Sequence, residues 1–245
     1  MLFILFGIVI EVKPERLKAD SSIDVIVAGI ETDVIPLISQ NAYCPMFTTV
    51  YSLVLSLTFS GMVTLDGQEY AVSPDHSFGY VDKSWGPALP LPFMHISSSR
   101  LTSIFTGKVM KDSGFALEAD YEGRLVALAK FENEFYGFGP QQAVKKYSAQ
   151  WSCVRTPTND GSEELHWSAS VNCKKYILDV DVFCPAQEML VKDYWLPDGS
   201  LLKVLCGGSG SGEIRLYKQI KKSLELIQHA KILSASCEYG ERDGV

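Results

Sequence analysis

Along most of this chain polar and apolar residues change places at every second position, the period of a strand with one wet face. SIDVIVAGI (22–30) and YSLVLSLTF (51–59) carry apolar or small residues on one side and Ser, Asp or Thr on the other, whereas RLVALAKF (124–131) is apolar on nearly both. Four stretches read as hairpins, because alternating runs flank residues that tolerate positive φ. They centre on Asp66-Gly67, Glu122-Gly123, Asn172 to Lys175 and Asp198-Gly199. Sheets with one wet face and a large dry interior fit barrels or sandwiches. The opening MLFILFGIVIEV lacks the basic start and small-residue cleavage site of an export signal and is too short to span a bilayer. It reads as a buried strand, and a chain that opens in a strand suggests a missing N-terminal strand before it.

The tail breaks the pattern. From Glu213 to about Ala235, Ile214, Ile220, Leu224 and Ile227 fall near helical spacing with Lys218, Lys221, Lys222 and Glu225 between them, which predicts an amphipathic C-terminal helix laid over the fold. CGGSGSG (206–212) has the glycine content of a phosphate loop without its Lys-Ser/Thr ending, and reads as a flexible connector. Two hairpins before about residue 125 and two after it suggest two sheet systems. The division expected is 1–98 for a first β half, 99–212 for a second, and 213–245 for the helix and tail.

Composition narrows the partners. A hydrophobic share of 47% supports a packed interior. A net charge of −7 without a long Lys/Arg run means that a nucleic-acid backbone or an anionic membrane surface is repelled on average, and polynucleotide partners are set aside. The six cysteines form no CxxC pair and the four histidines no HxH or HxxxH pair, so the cysteines read as buried thiols and no metal is implied. No G-x-S-x-G elbow marks a serine hydrolase.

One segment departs from plain strand logic: SFGYVDKSWGPALPLPF (77–93). In an extended chain Tyr80, Asp82 and Ser84 point one way and Val81, Lys83 and Trp85 the other, so both faces are mixed. Gly86 and Pro87 end the strand, and Pro90 and Pro92 hold a stiff corner before FMHIS. Two readings stand side by side. In one, Asp82 and Lys83 are solvated and Trp85 packs the corner. In the other, the cluster lines an apolar cavity whose dryness raises the Asp82 pKa until it can donate a proton.

SLTFSGMVTLDGQEYAV followed by GYVDKSWGPALP resembles the tocopherol cyclase family, in which a D/N-G hairpin precedes an aromatic-x-E/D-K-x-W-G-x-x-F-P segment. Tyr80, Asp82, Lys83, Trp85, Gly86 and Pro90 match it, while Leu89 stands at the usual Phe and His95 near a usual Trp. The resemblance implies an all-β fold of two lipocalin-like antiparallel β-barrel or sandwich halves, related to carotenoid-modifying barrels. It also implies proton-initiated closure of a chromanol ring from a prenylated hydroquinone, without a cofactor. On that reading Asp82 and His95 are the catalytic candidates, and Tyr80, Lys83, Trp85 and Phe93 the substrate-binding ones. The rival function is a carrier of a prenyl lipid, quinone or carotenoid without turnover. Either suits contact with a membrane or lipid-droplet surface; relatives in photosynthetic eukaryotes act in plastids, and otherwise the cytoplasm is expected.

Overall fold

The computed structural model describes 3–10, 23–32, 37–39, 49–65, 67–72, 77–85, 91–120, 125–132, 134–139, 147–173, 175–195, 199 and 201–240. For most of the first sheet it describes backbone and strand pairing only. That sheet holds β1 (Phe3–Ile10), β2 (Ile23–Thr32), β3 (Leu37–Ser39), β4 (Thr49–Leu65), β5 (Gln68–Val72) and β6 (Ser77–Trp85). Its order is β1-β6-β4-β2, with β3 and β5 also on β4. β4 pairs with β5 across the expected turn, with Leu65 opposite Gln68 and Gly67 at φ 78°, as the hairpin signal requires.

The second sheet takes β7 (Phe93–Ser103), β8 (Gly114–Asp120), β9 (Leu125–Phe131), β10 (Glu134–Phe138), β11 (Tyr147–Pro157), β12 (Glu163–Cys173), β13 (Tyr176–Pro185), β14 (Leu190–Trp195), β15 (Leu201–Ile220) and β16 (Ser223–Gly240). All pairs are antiparallel, in the order β10-β9-β8-β7-β16-β15-β13-β12-β11, with β14 also on β15. The sheet curls until its ends meet. The Tyr147 hydroxyl on β11 donates to the Leu125 carbonyl and accepts from the Leu125 N–H on β9, each at 2.7 Å. Tyr136 on β10 meets Tyr176 on β13 edge to face, with centroids 5.1 Å apart.

The protein is therefore all-β, as expected, and the three later hairpins also pair across the predicted turns: Ala119 opposite Leu125, Cys173 opposite Tyr176, and Trp195 opposite Leu201. The expected C-terminal helix is wrong. Residues 213–240 continue β15, turn at Lys221-Lys222 and return as β16. Buried Ile214 and Leu216 alternate with half-exposed Arg215 and Tyr217; Ile220, Leu224 and Leu226 are exposed, so the apparent helical stripe was a mixture of core and surface positions. The 206–212 segment is strand rather than a connector. A Cβ at Gly212 would sit 1.9 Å from the Asp181 carbonyl oxygen, and one at Gly210 would sit 2.6 Å from the Cys237 sulfur. Close approach of neighbouring strands selects glycine there. The sheets divide the chain between Trp85 and Phe93, and β15 runs straight across position 212.

The concave face of the second sheet is filled by its own side chains. Trp167, Phe115, Phe131, Phe138, Met94 and Ile96 are buried there within one continuous apolar cluster. Among the described cysteines, Cys173, Cys184 and Cys237 are buried thiols, as expected, and Cys153 and Cys206 are half-buried ones.

Candidate functional site: a buried polar row on β7, β8, β15 and β16

Strand alternation sends the residues between the core positions of β7 to the opposite face, and those are buried too. Phe93, His95 and Ser97 are buried, as are Ala116 and Glu118 of β8, Leu128 and Lys130 of β9, Leu202 and Val204 of β15, and Glu238 of β16. This second dry face is unusual because it is rich in ionisable groups.

Strand register sets them in one line. Cys206 lies opposite Glu238, Glu238 opposite His95, and His95 opposite Glu118. Directly opposed residues hold their Cβ atoms about 4.5–5.5 Å apart, so neighbours along such a row are within side-chain reach of one another. His95 is 1% exposed and Glu238 6%. The Cys206 thiol donates to Glu238 Oε1 at 3.7 Å, and Lys192 Nζ approaches the same oxygen at 3.9 Å from an exposed position on β14. The second oxygen, Oε2, has no hydrogen-bond partner among the described residues. Phe93, Leu202 and Val204 pack together at one flank, with Leu91 and Cys206 against them.

This environment alters protonation. Burial pushes the Glu238 pKa up, against the smaller opposing effects of Lys192 and the Cys206 thiol. Burial also lowers His95 to about 4, which leaves the ring neutral near pH 7. The Cys206 thiol is pushed up to about 12 by burial first and the neighbouring carboxylate second, so it is no nucleophile at neutral pH. A carboxyl biased toward its acid form and a neutral imidazole thus stand side by side. That is an acid and a base whose environments have moved their pKa values in opposite directions.

Of the residues expected from sequence, His95 lies at the centre of this row and Phe93 on the same face, two residues away. Phe93 belongs to the apolar cluster at the flank. Tyr80, Asp82, Lys83 and Trp85 lie on β6, where Asp82 is opposite Leu5 and Ser52 and Lys83 opposite Ile4 and Tyr51. Their side chains, and Gly86 and Pro90, lie outside the described residues. β6 touches β7 and β4 touches β8, so the two sheets meet along the strands that carry His95 and Glu118. Sequence reasoning missed Glu118 and Glu238. Each sits in an alternating run, ALEAD and SCEYG, that reads as an ordinary wet face. The usable signal was their pairing with a histidine strand, which only the topology supplies. Among the described residues no group of three His, Cys, Asp or Glu side chains has metal-binding geometry.

No protein-family model matches the chain, and no curated protein matches it. Among solved structures, the chain is similar to the crystal structure of kievitone hydratase from Nectria haematococca. The identity is 13%, the TM-score 0.45, and the match covers 97% of this chain and 69% of that one.

Proposed function

We propose that the protein is an acid–base enzyme of the tocopherol cyclase type, closing a chromanol ring on a prenylated hydroquinone, with Glu238 as the proton donor and His95 as the acceptor. The observation that carries this reading is the Glu238 carboxyl, 6% exposed, whose burial favours its protonated form. Protonating an alkene demands an acid that has not already lost its hydrogen at neutral pH, in surroundings that keep water from the carbocation.

The step balances within the site. The Glu238 proton forms a C–H bond with the less substituted alkene carbon as the π bond breaks, leaving a tertiary cation. The phenol oxygen forms the C–O bond, and its proton leaves to the neutral His95 ring. Transfer from imidazolium to the Glu238 carboxylate restores both groups, so the net reaction is an isomerisation. Phe93 supplies an aromatic surface for the prenyl chain. Asp82, the acid that the family likeness suggests, is the competing donor. A carrier reading gains nothing from the second sheet, whose concave interior is occupied by its own side chains.

The test is turnover of a phytyl benzoquinol dispersed in detergent, read as chromanol formed. Glu238→Gln keeps the shape and removes the acid, and its expected effect is a loss of about 10²–10⁴-fold in kcat with substrate binding retained. Full activity in Glu238→Gln with loss in Asp82→Asn would move the acid to β6. Binding without product in the unaltered protein would leave a carrier.

A further inference from the structure

The two ends of the second sheet differ in charge. At one end lie the β11–β12 turn, the 3₁₀ turn Ala186–Glu188 and the start of β14, carrying Asp160, Glu163, Glu164, Glu188 and Asp193. The other end is formed by the tip of the β15–β16 hairpin, the β12–β13 turn and the β7–β8 loop. Strand register brings these together: Ile220 lies opposite Ser223, Tyr176 opposite Lys218, and Ala230 opposite Ser103. The Gln219 N–H donates to the Lys175 carbonyl at 2.7 Å, and the Ile104 N–H to the His229 carbonyl at 2.8 Å.

At the hairpin tip Lys175, Lys218, Lys221 and Lys222 are exposed with Glu225 as the acid among them. Ile220, Leu224 and Leu226 are exposed between these lysines, Leu224 at 57%, and Phe105 stands out at 57% from the adjoining loop, its ring edge against His229. The hairpin projects past the last pairing of β16 with β7 at Ala230. A protein of net charge −7 has thus gathered positive charge and bare aliphatic side chains on one protruding ribbon. These aliphatic groups stand outside the packed interior of the described residues.

We propose that this tip docks the protein on an anionic lipid bilayer, with Ile220 and Leu224 entering the acyl boundary and the lysines reaching the headgroups. The occupant follows from the chemistry. Aliphatic tips gain from an apolar phase, and flexible lysines beside them hold their charge at the depth of lipid phosphates. The whole molecule would be repelled by the same surface, so the local charge fixes which end approaches. This inference is independent of the acid site, because turnover on detergent-dispersed substrate needs no bilayer.

Sedimentation of the full chain with vesicles tests it, using phosphatidylcholine with and without phosphatidylserine. The expected result is pelleting with the anionic vesicles, little with the neutral ones, and release as salt is raised. Lys221→Gln with Lys222→Gln weakens binding by about five-fold per lysine. Leu224→Ser weakens it further while the melting temperature stays unchanged. Absence of pelleting overturns the proposal, as does equal, salt-insensitive pelleting with both vesicle types. Should the lysines only guard the open edge of β16 against strand addition, the double variant aggregates and the unaltered protein ignores both vesicles. The lipid-charge and salt dependences need no variant, so the proposal stays open to refutation if a variant folds poorly.

Discussion

β7 has two dry faces, and they are made of different things. Met94, Ile96 and Leu101 point into the concave interior with Trp167 and Phe115, within one continuous apolar cluster. His95 and Ser97 point the other way, with Glu118 and Glu238 as cross-strand neighbours, under nearly the same degree of burial. Removing apolar surface from water stabilises the first face by about 25 cal/mol per Å². Removing carboxyl and imidazole groups from water costs free energy and changes which protons they hold. One face is therefore stabilised by its burial and the other is not, and substitutions should affect them in opposite ways.

The largest contrast is between Trp167 and Glu238. Truncating Trp167, fully buried, to Ala leaves a cavity that the packed interior cannot fill, and the expected loss is about 3–5 kcal/mol in urea unfolding. Glu238→Leu exchanges a desolvated carboxyl for an alkyl group of similar reach. Its expected effect on stability is neutral or favourable, while chromanol formation is abolished. A large loss of stability in Glu238→Leu would mean that the row is structural, joined by contacts that the protein needs in order to fold.

The next contrast lies in pH. His95 falls from the ordinary 6.5 to about 4 in the fold, so the unfolded chain binds its proton more readily between those values. Its contribution is full above pH 6.5 and disappears as pH falls toward 4, a difference of about 3 kcal/mol. Glu238 works in the reverse sense, since its pKa is raised. The folded state holds that proton more tightly, so its contribution is present below the ordinary carboxyl range near 4.5 and is lost as pH rises through the folded value. Chemical denaturation across pH separates the two: His95→Leu flattens the acid side, and Glu238→Gln flattens the fall toward neutral pH. An unchanged acid limb in His95→Leu would show that this ring does not carry the linkage.

How far these faces could be read in advance depended on whether the deciding contact was local. The Asp66-Gly67 and Asp198-Gly199 turns were legible because their glycines, at φ 78° and 84°, answer a requirement set within four residues. Interior alternation in β12 and β13 was legible for the same reason. The tail was misread because β16 takes its partner β7 from more than a hundred residues earlier, and exposed Ile220 and Leu224 at the hairpin tip completed a false helical stripe. His95 stood out because it stands near a usual Trp of the family pattern. Glu238 did not, because burial of an alternating strand's polar side depends on what lies across the sheet. The Asp82 side chain lies outside the described residues, so the segment that carries the family likeness offers no side-chain geometry to set against Glu238.

The smallest expected effect completes the contrast by placing ionisable groups on a wet face. Arg215 on β15 lies 3.4 Å from Asp181 and also contacts Glu213, while His166 reaches Asp181 at 3.2 Å and His229 reaches Glu213 at 2.8 Å. His229 and Arg215 together hold Glu213 below the usual carboxylate range. Unlike the buried row, the side chains of Arg215, Asp181, Glu213 and His166 are roughly one-third exposed, so water and salt screen them. Arg215→Met should therefore cost less than about 1 kcal/mol, most of it gone at high ionic strength, and chromanol formation should be unchanged. A loss as large as that of Trp167→Ala would mean that the outer face is as dry in solution as the inner one, and would remove the distinction in solvation on which the assignment of Glu238 depends.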